Sequence, residues 1–316
     1  MTRLVFTAAG FALLSVGVAA QEPAPEAAAS SGSQEIENVI VRGRRMSEIE
    51  DDLRIEIGKF INEVVVVPTG RGFARWQRGV CVGVHNLERT AAQYVVDRIS
   101  ALALEVGLAP GEPGCNPEVI VIFTTDGKET ASYIVENRED VLRPTGDGGQ
   151  HRGLAGLKEF AESDRAIRWW HLSMPVDART GRPTIRMRGE TGSADPLDNP
   201  TVRVDGPSRI HSGIRDAMQR VIIIVDSSKL TGTTWQQLGD YLAVVSLAQI
   251  DLETDPTAFD SILNLFSNPK AYSGLTDWDR SYVHALYEFD QRRIPSLQTG
   301  EIVSQMVRRE IENGAQ

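Results

Sequence analysis

The chain has 316 residues, 41% of them apolar, and a formal net charge of −10 from 43 Asp and Glu against 33 Lys and Arg. That length supports one large domain or two small ones with a real core. The acidic balance excludes a general binder of nucleic-acid backbone, which needs a cationic surface.

Arg3, an apolar run from Leu4 to Val18 and small residues at Val18-Ala19-Ala20 ahead of Gln21 read as a cleavable secretory signal over 1–20. The run is shorter than the roughly 20 residues a spanning helix needs, and no later stretch lacks charges for that length. The mature chain is therefore expected in the periplasm or outside the cell and not to span a membrane. No cysteine follows the run, which argues against a lipid anchor. Residues 21–34 hold almost nothing that could bury surface and read as a disordered tether, leaving 35–316 as a single α+β domain, a mixed sheet packed with helices.

In chain order, Ile36 to Arg42 suits a short strand, and Glu35 to Arg44 resembles the TonB-box segments of outer-membrane transporters, which implies a TonB-type partner pairing with that strand. Ser47 with Glu50 forms a capping-box pattern, followed by Ile49, Leu53, Ile57, Phe60 and Ile61 at helical spacing. Four consecutive valines within Asn62 to Pro68 predict a buried strand, and Thr69 to Gly72 a turn. Cys81 and Cys115, the only cysteines, are expected to pair in an oxidising compartment. Between them Leu87, Ala91, Val95, Ile99, Leu102 and Val106 mark one face of a helix stopped by Gly107 and Pro110. Val119 to Phe123 is a continuous apolar strand of the kind covered on both faces.

Residues 145–153 read as a loop, Leu154 to Phe160 as a helix and Ala166 to Ser173 as a strand. Alternation along that strand puts Arg168 and Trp170 on one face and Trp169 and His171 on the other, one Trp in the core and one face a partly exposed platform. Residues 177–207 read as an insertion or long loop with a strand-like piece from Thr184 to Met187. Val221 to Val225 is a second buried strand, followed by helices over Thr234–Gln249 and Pro256–Phe266, a helix opened by the capping box of Thr276 and Asp279, and a last helix over Gly300–Asn313.

No two of the five histidines lie within five residues, so the paired spacing of a zinc motif is absent, as are nucleophile-elbow, Walker and dinucleotide glycine patterns. Ser208, Arg209, His211, Ser212 and Arg215 concentrate donors able to hold a carboxylate. The candidate binding residues are Trp169, His171, Arg209, His211, Arg215 and Asp240, and no catalytic residue is assigned. Both clusters also read as a solvated edge strand or a structural ion pair. A hydrolase built from His171, His211, Asp226 or Asp240 would need these to converge in one pocket.

From residue 221 the chain resembles the closing half of the zincin-like metallopeptidases. Ser261-Ile262-Leu263-Asn264 matches that family's Met-turn with Leu263 for Met, Leu275-Thr276-Asp277-Trp278-Asp279-Arg280 matches the start of its last helix, and Ala285-Leu286-Tyr287 follows. The mature chain as a whole also resembles uncharacterised exported proteins of alphaproteobacteria. Gapless placement puts Asp240-Tyr241-Leu242-Ala243-Val244 where the family carries H-E-x-x-H, so both histidines and the general-base glutamate are lost. The resemblance implies a degenerate, metal-free domain without cofactor that binds a protein, peptide or envelope partner.

Overall fold

The structure, a computed structural model, describes residues 29–65, 67, 71–142, 153–184 and 209–314. The signal over 1–20, the first part of the tether, the loop with His151 and most of the insertion over 177–207 lie outside them. Two compact units divide the chain, Met1–Ile49 and Glu50–Gln316. Among the described residues no helix is long and apolar enough to cross a membrane.

Helix α1 spans Ala29–Val64 and takes in the segment read as a strand over Ile36–Arg42, so no strand stands there to pair with a partner. β-branched residues cost only tenths of a kcal/mol each in a helix, which a continuous helix tolerates. For the same reason Ser47 and Glu50 lie within α1 and do not open it. The predicted inner positions Ile57, Phe60 and Ile61 are buried. The valine strand is also displaced: α1 continues through Val64, and Val65 makes a single antiparallel bridge to Ile250.

Two-residue strands β1 (Gly79–Val80) and β3 (Ala109–Pro110) pair in parallel. Between them run β2 (Val82–His85) and α2 (Arg89–Glu105), the latter started by Glu88 accepting from the amides of Thr90 and Ala91. Cys81 and Cys115 form a disulfide that closes the β2–α2 unit. Gly111 is needed beside it, because a Cβ there would fall 2.4 Å from the Cys115 Sγ. The bridge therefore staples the entry of β2 to the loop ahead of the next strand.

That strand is β4 (Val119–Thr124), followed by α3 (Gly127–Asn137), the short α4 (Glu139–Leu142), α5 (Gly153–Glu162), β5 (Ile167–Asp177) and β6 (Ile214–Asp226). The main sheet has the order β2-β4-β6-β5, parallel from β2 to β6, with β5 antiparallel to β6. This is the mixed sheet of an α+β fold. Helix α6 spans Trp235–Leu247 behind a capping box of Thr234 and Gln237. Helices α7 (Asp277–Glu288) and α8 (Pro295–Gly314) close the chain, α8 starting earlier than its periodicity suggested because Pro295 suits a first helical turn.

Ring contacts assign the faces of the sheet. Trp169 packs on Tyr241 of α6 with centroids 6.1 Å apart, so Trp169, Ile223 and Val121, which sit side by side in register, face α6. Trp170 packs on Phe160 of α5 at 6.1 Å, so Trp170, Ile222 and Ile120 face the other way. Both tryptophans are buried, each donating its indole N–H to a backbone oxygen, Trp169 to Ile250 and Trp170 to Leu142. Arg168 beside them is buried too, and of the four residues only His171 is half-buried. β4 also departs from expectation: Val119, Val121 and Phe123 are buried, whereas Ile120 and Ile122 are only half-buried.

In place of a helix over Pro256–Phe266 there are two 3-10 turns, Pro256–Ala258 and Ile262–Asn264. Asn264 draws them together by donating its side-chain amide to the carbonyls of Pro256 and Phe259, at 2.9 and 2.8 Å.

Candidate functional site

Helix α6 carries the residues that stand at the metal-binding positions of the resemblance. Every residue from Gln237 to Leu247 is buried, so Asp240 to Val244 face packed protein and no open cleft. Asp240 accepts from Arg98 of α2, its Nε at 2.8 Å, and from the backbone amide of Leu275 at 3.1 Å. It is a structural tie between α2, α6 and the approach to α7. Tyr241, at the general-base position, sits between Trp169 and Phe266, the latter with ring centroids 5.3 Å away. Burial holds its phenol protonated far above the ordinary range.

Below that aromatic stack His171 of β5 places Nε2 2.8 Å from the carbonyl oxygen of Val245. A carbonyl only accepts, so Nε2 carries the proton and donates. Burial lowers the imidazole from 6.5 to about 4, only partly opposed by that hydrogen bond. The unfolded chain binds a proton in this window and the folded chain does not, so stability present above about pH 6.5 is lost as pH falls towards 4. The expected loss is about 2–3 kcal/mol. His171→Gln keeps the donor and cannot titrate, so urea unfolding from neutral pH down to acid should show a shallower loss in the variant. Equal loss in both proteins would remove the assignment.

The second sequence cluster is not one site. Arg209 is exposed. His211 forms an isolated bridge with Arg293 and lies 3.5 Å from the Asp290 carboxylate, on the connection between α7 and α8. Arg215 lies within β6, its pKa lowered by burial and raised in part by the Asp177 carboxylate. Asp226 closes β6 and accepts from the amides of Gly127 and Ser228 and from the Ser228 hydroxyl. His171, His211, Asp226 and Asp240 thus each have their own partners. Among the described residues no group of three or more His, Cys, Asp or Glu side chains could hold a metal ion.

Of the turn expected over Thr69 to Gly72, Arg71 and Gly72 are described, and they open a strap that runs to Gln77. It runs extended, meeting β6 at one parallel bridge between Arg75 and Ala217. Its main chain is otherwise satisfied by side chains, as buried polar backbone requires. Asp216 accepts from the amide of Gly72 at 2.7 Å and from Arg71 Nε at 2.6 Å. Gln298 accepts from Phe73 and Gln249 from Ala74, while Gln291 donates to the Phe73 carbonyl. Gly72 passes so close to Gln298 that a Cβ would fall 2.5 Å from its Oε1. Arg75 donates to the carbonyl of Leu286 at 2.8 Å and lies over the Phe289 ring. The buried glutamines were the available signal, since uncharged amides rarely go inside without backbone to bind.

On the face of the sheet away from α6, a cavity of about 550 Å³ opens beside Ile120, Ile122 and Ile222, with His85, Arg138 and Arg220 among its lining. Comparison with known protein families, with curated proteins and with solved structures gives no match for this chain.

Proposed function

We propose that this is an exported, non-catalytic protein whose second half is a degenerate, metal-free zincin-like domain, acting outside the cytoplasm by binding a peptide or envelope partner. The observation that carries the reading is Asp279. Its carboxylate accepts from the Ser261 hydroxyl at 2.6 Å and the Ile262 amide at 2.8 Å, and caps α7 with Thr276. The turn Ser261–Asn264 and the helix start Leu275–Arg280, two separate pieces of the resemblance, are therefore one hydrogen-bonded unit following β6 and α6 in the family's order. A Tyr241 packed edge-to-face between aromatic rings at the general-base position supports loss of hydrolysis, since a buried phenol held protonated cannot activate water. The disulfide supports an oxidising compartment.

The test is elemental analysis of protein purified from zinc-replete medium and desalted. We expect zinc far below one equivalent per chain, unchanged by dialysis against a chelator. One tightly held zinc per chain would overturn the reading.

A further inference from the structure

We propose that the cavity on the sheet face away from α6 is a binding site for a carboxylate with an apolar body, its head held by Arg220. This inference is independent of the zincin-like reading, because none of the residues concerned lies on α6, the Ser261–Asn264 turn or α7.

The first support is a mismatch between sequence and burial. β4 is apolar at every position from Val119 to Phe123, as a strand covered on both faces would be, yet Ile120 and Ile122 are only half-buried. Ile120 lies in register beside Ile222 of β6 and Ile122 beside Ile224, and Ile120, Ile122 and Ile222 line the cavity as an apolar floor facing Tyr133 and Ile134 of α3. Apolar surface left in a concave site is what a ligand's hydrocarbon would cover. About 550 Å³ is within the range of small-molecule sites.

The second support is charge. Among the described residues the lining includes Arg138 and Arg220 and no Asp or Glu, on a chain whose net charge is −10. A cationic spot on an acidic protein selects anions locally. The third is hydrogen bonding. Arg220 Nε is withdrawn from solvent and has no hydrogen-bond partner among the described residues. Nε itself is closed to a ligand as it is to water, so a carboxylate in the cavity would meet Arg220 on the part of its guanidinium that lines it, where a charge-assisted bond is strong. An apolar floor beside these arginines fits an anion with a hydrocarbon or aromatic body better than a small, fully hydrated anion such as phosphate.

The experiment is isothermal titration calorimetry of the purified protein with dodecanoate below its micelle-forming concentration, and with dodecanol as the uncharged control. We expect one dodecanoate site per chain, with dodecanol bound about tenfold or more weakly, the worth of one hydrogen bond to a charged group. Arg220→Gln should weaken dodecanoate by a similar factor and leave dodecanol unchanged, while Arg220→Lys should recover part of the loss. Ile122→Trp, which fills the floor, should abolish both. Thermal melting of each variant separates loss of ligand from loss of fold, and the dodecanol comparison on the unmodified protein stands even where a variant unfolds. Absence of dodecanoate binding, equal affinity for dodecanoate and dodecanol, or a folded Arg220→Gln that binds dodecanoate like the parent would each overturn the proposal.

Discussion

Asp279→Ala should destabilise the protein by about 3–5 kcal/mol, among the largest effects of any single substitution outside the apolar core. The carboxylate is 1% exposed and is the common acceptor for the Ser261 hydroxyl and the backbone amides of Ile262 and Thr276. Burial pushes its pKa up, and those same donors pull it back. Removing the side chain strands three donors at once, each worth roughly 1–3 kcal/mol when buried and unmade. The Thr276 hydroxyl still accepts from the backbone amide of residue 279, so the N-cap itself persists in the variant. Urea unfolding should show a lower midpoint with an unchanged slope. Asp279→Asn, which keeps one acceptor oxygen, should lose about half as much. If both variants unfold at the parent's midpoint, the turn and the helix are held by something else.

Opening the Cys81–Cys115 bridge should cost roughly 3–4 kcal/mol. The cysteines are 34 residues apart, and in the chain-entropy treatment closing a loop of that length removes this much freedom from the unfolded state. The enclosed segment is β2, α2 and β3, with the Val119 amide bonded to the Cys81 carbonyl at 3.0 Å. The loss should therefore act on the unfolded chain more than on native contacts. A Cys81→Ser, Cys115→Ser double variant should unfold at lower urea and stop responding to reductant, whereas the parent should move to the variant's midpoint when reduced. A parent whose midpoint ignores full reduction would contradict the bridge's role.

What could be read from the chain followed the range of the interactions involved. α2, α6 and α7 show in the sequence because their caps and apolar faces lie within four residues of each other, as with Thr276 and Asp279. β4 and β6 show because runs such as Val221 to Val225 have no other stable use. Ile36–Arg42 and Val64 have strand-like local composition but lie within α1, and Val65 makes only a lone bridge, so local composition alone did not separate helix from strand there. The candidate binding residues were legible as polar or aromatic side chains and not as a site. Trp169 and His171 turn towards α6, where Trp169 packs on Tyr241 and donates to the Ile250 carbonyl just beyond the helix and His171 donates to Val245, and Asp240 turns in because Arg98 lies across from it. The cavity was hidden for the opposite reason: a strand with an apolar second face looks the same in sequence whether a helix or a ligand covers it.

The strap has a consequence for how the molecule forms. Its bonds join positions far apart along the chain, 145 residues from Arg71 to Asp216 and 225 from Phe73 to Gln298. Closing such loops costs entropy before any contact returns it, and folding slows as contact order rises. Residues 71–77 emerge early in synthesis, yet their partners on the connection before α8 and on α8 itself arrive almost last. Until Gln298 exists, that stretch of main chain stays solvated, and the native state can be completed only in a late, cooperative step that draws both ends of the domain together.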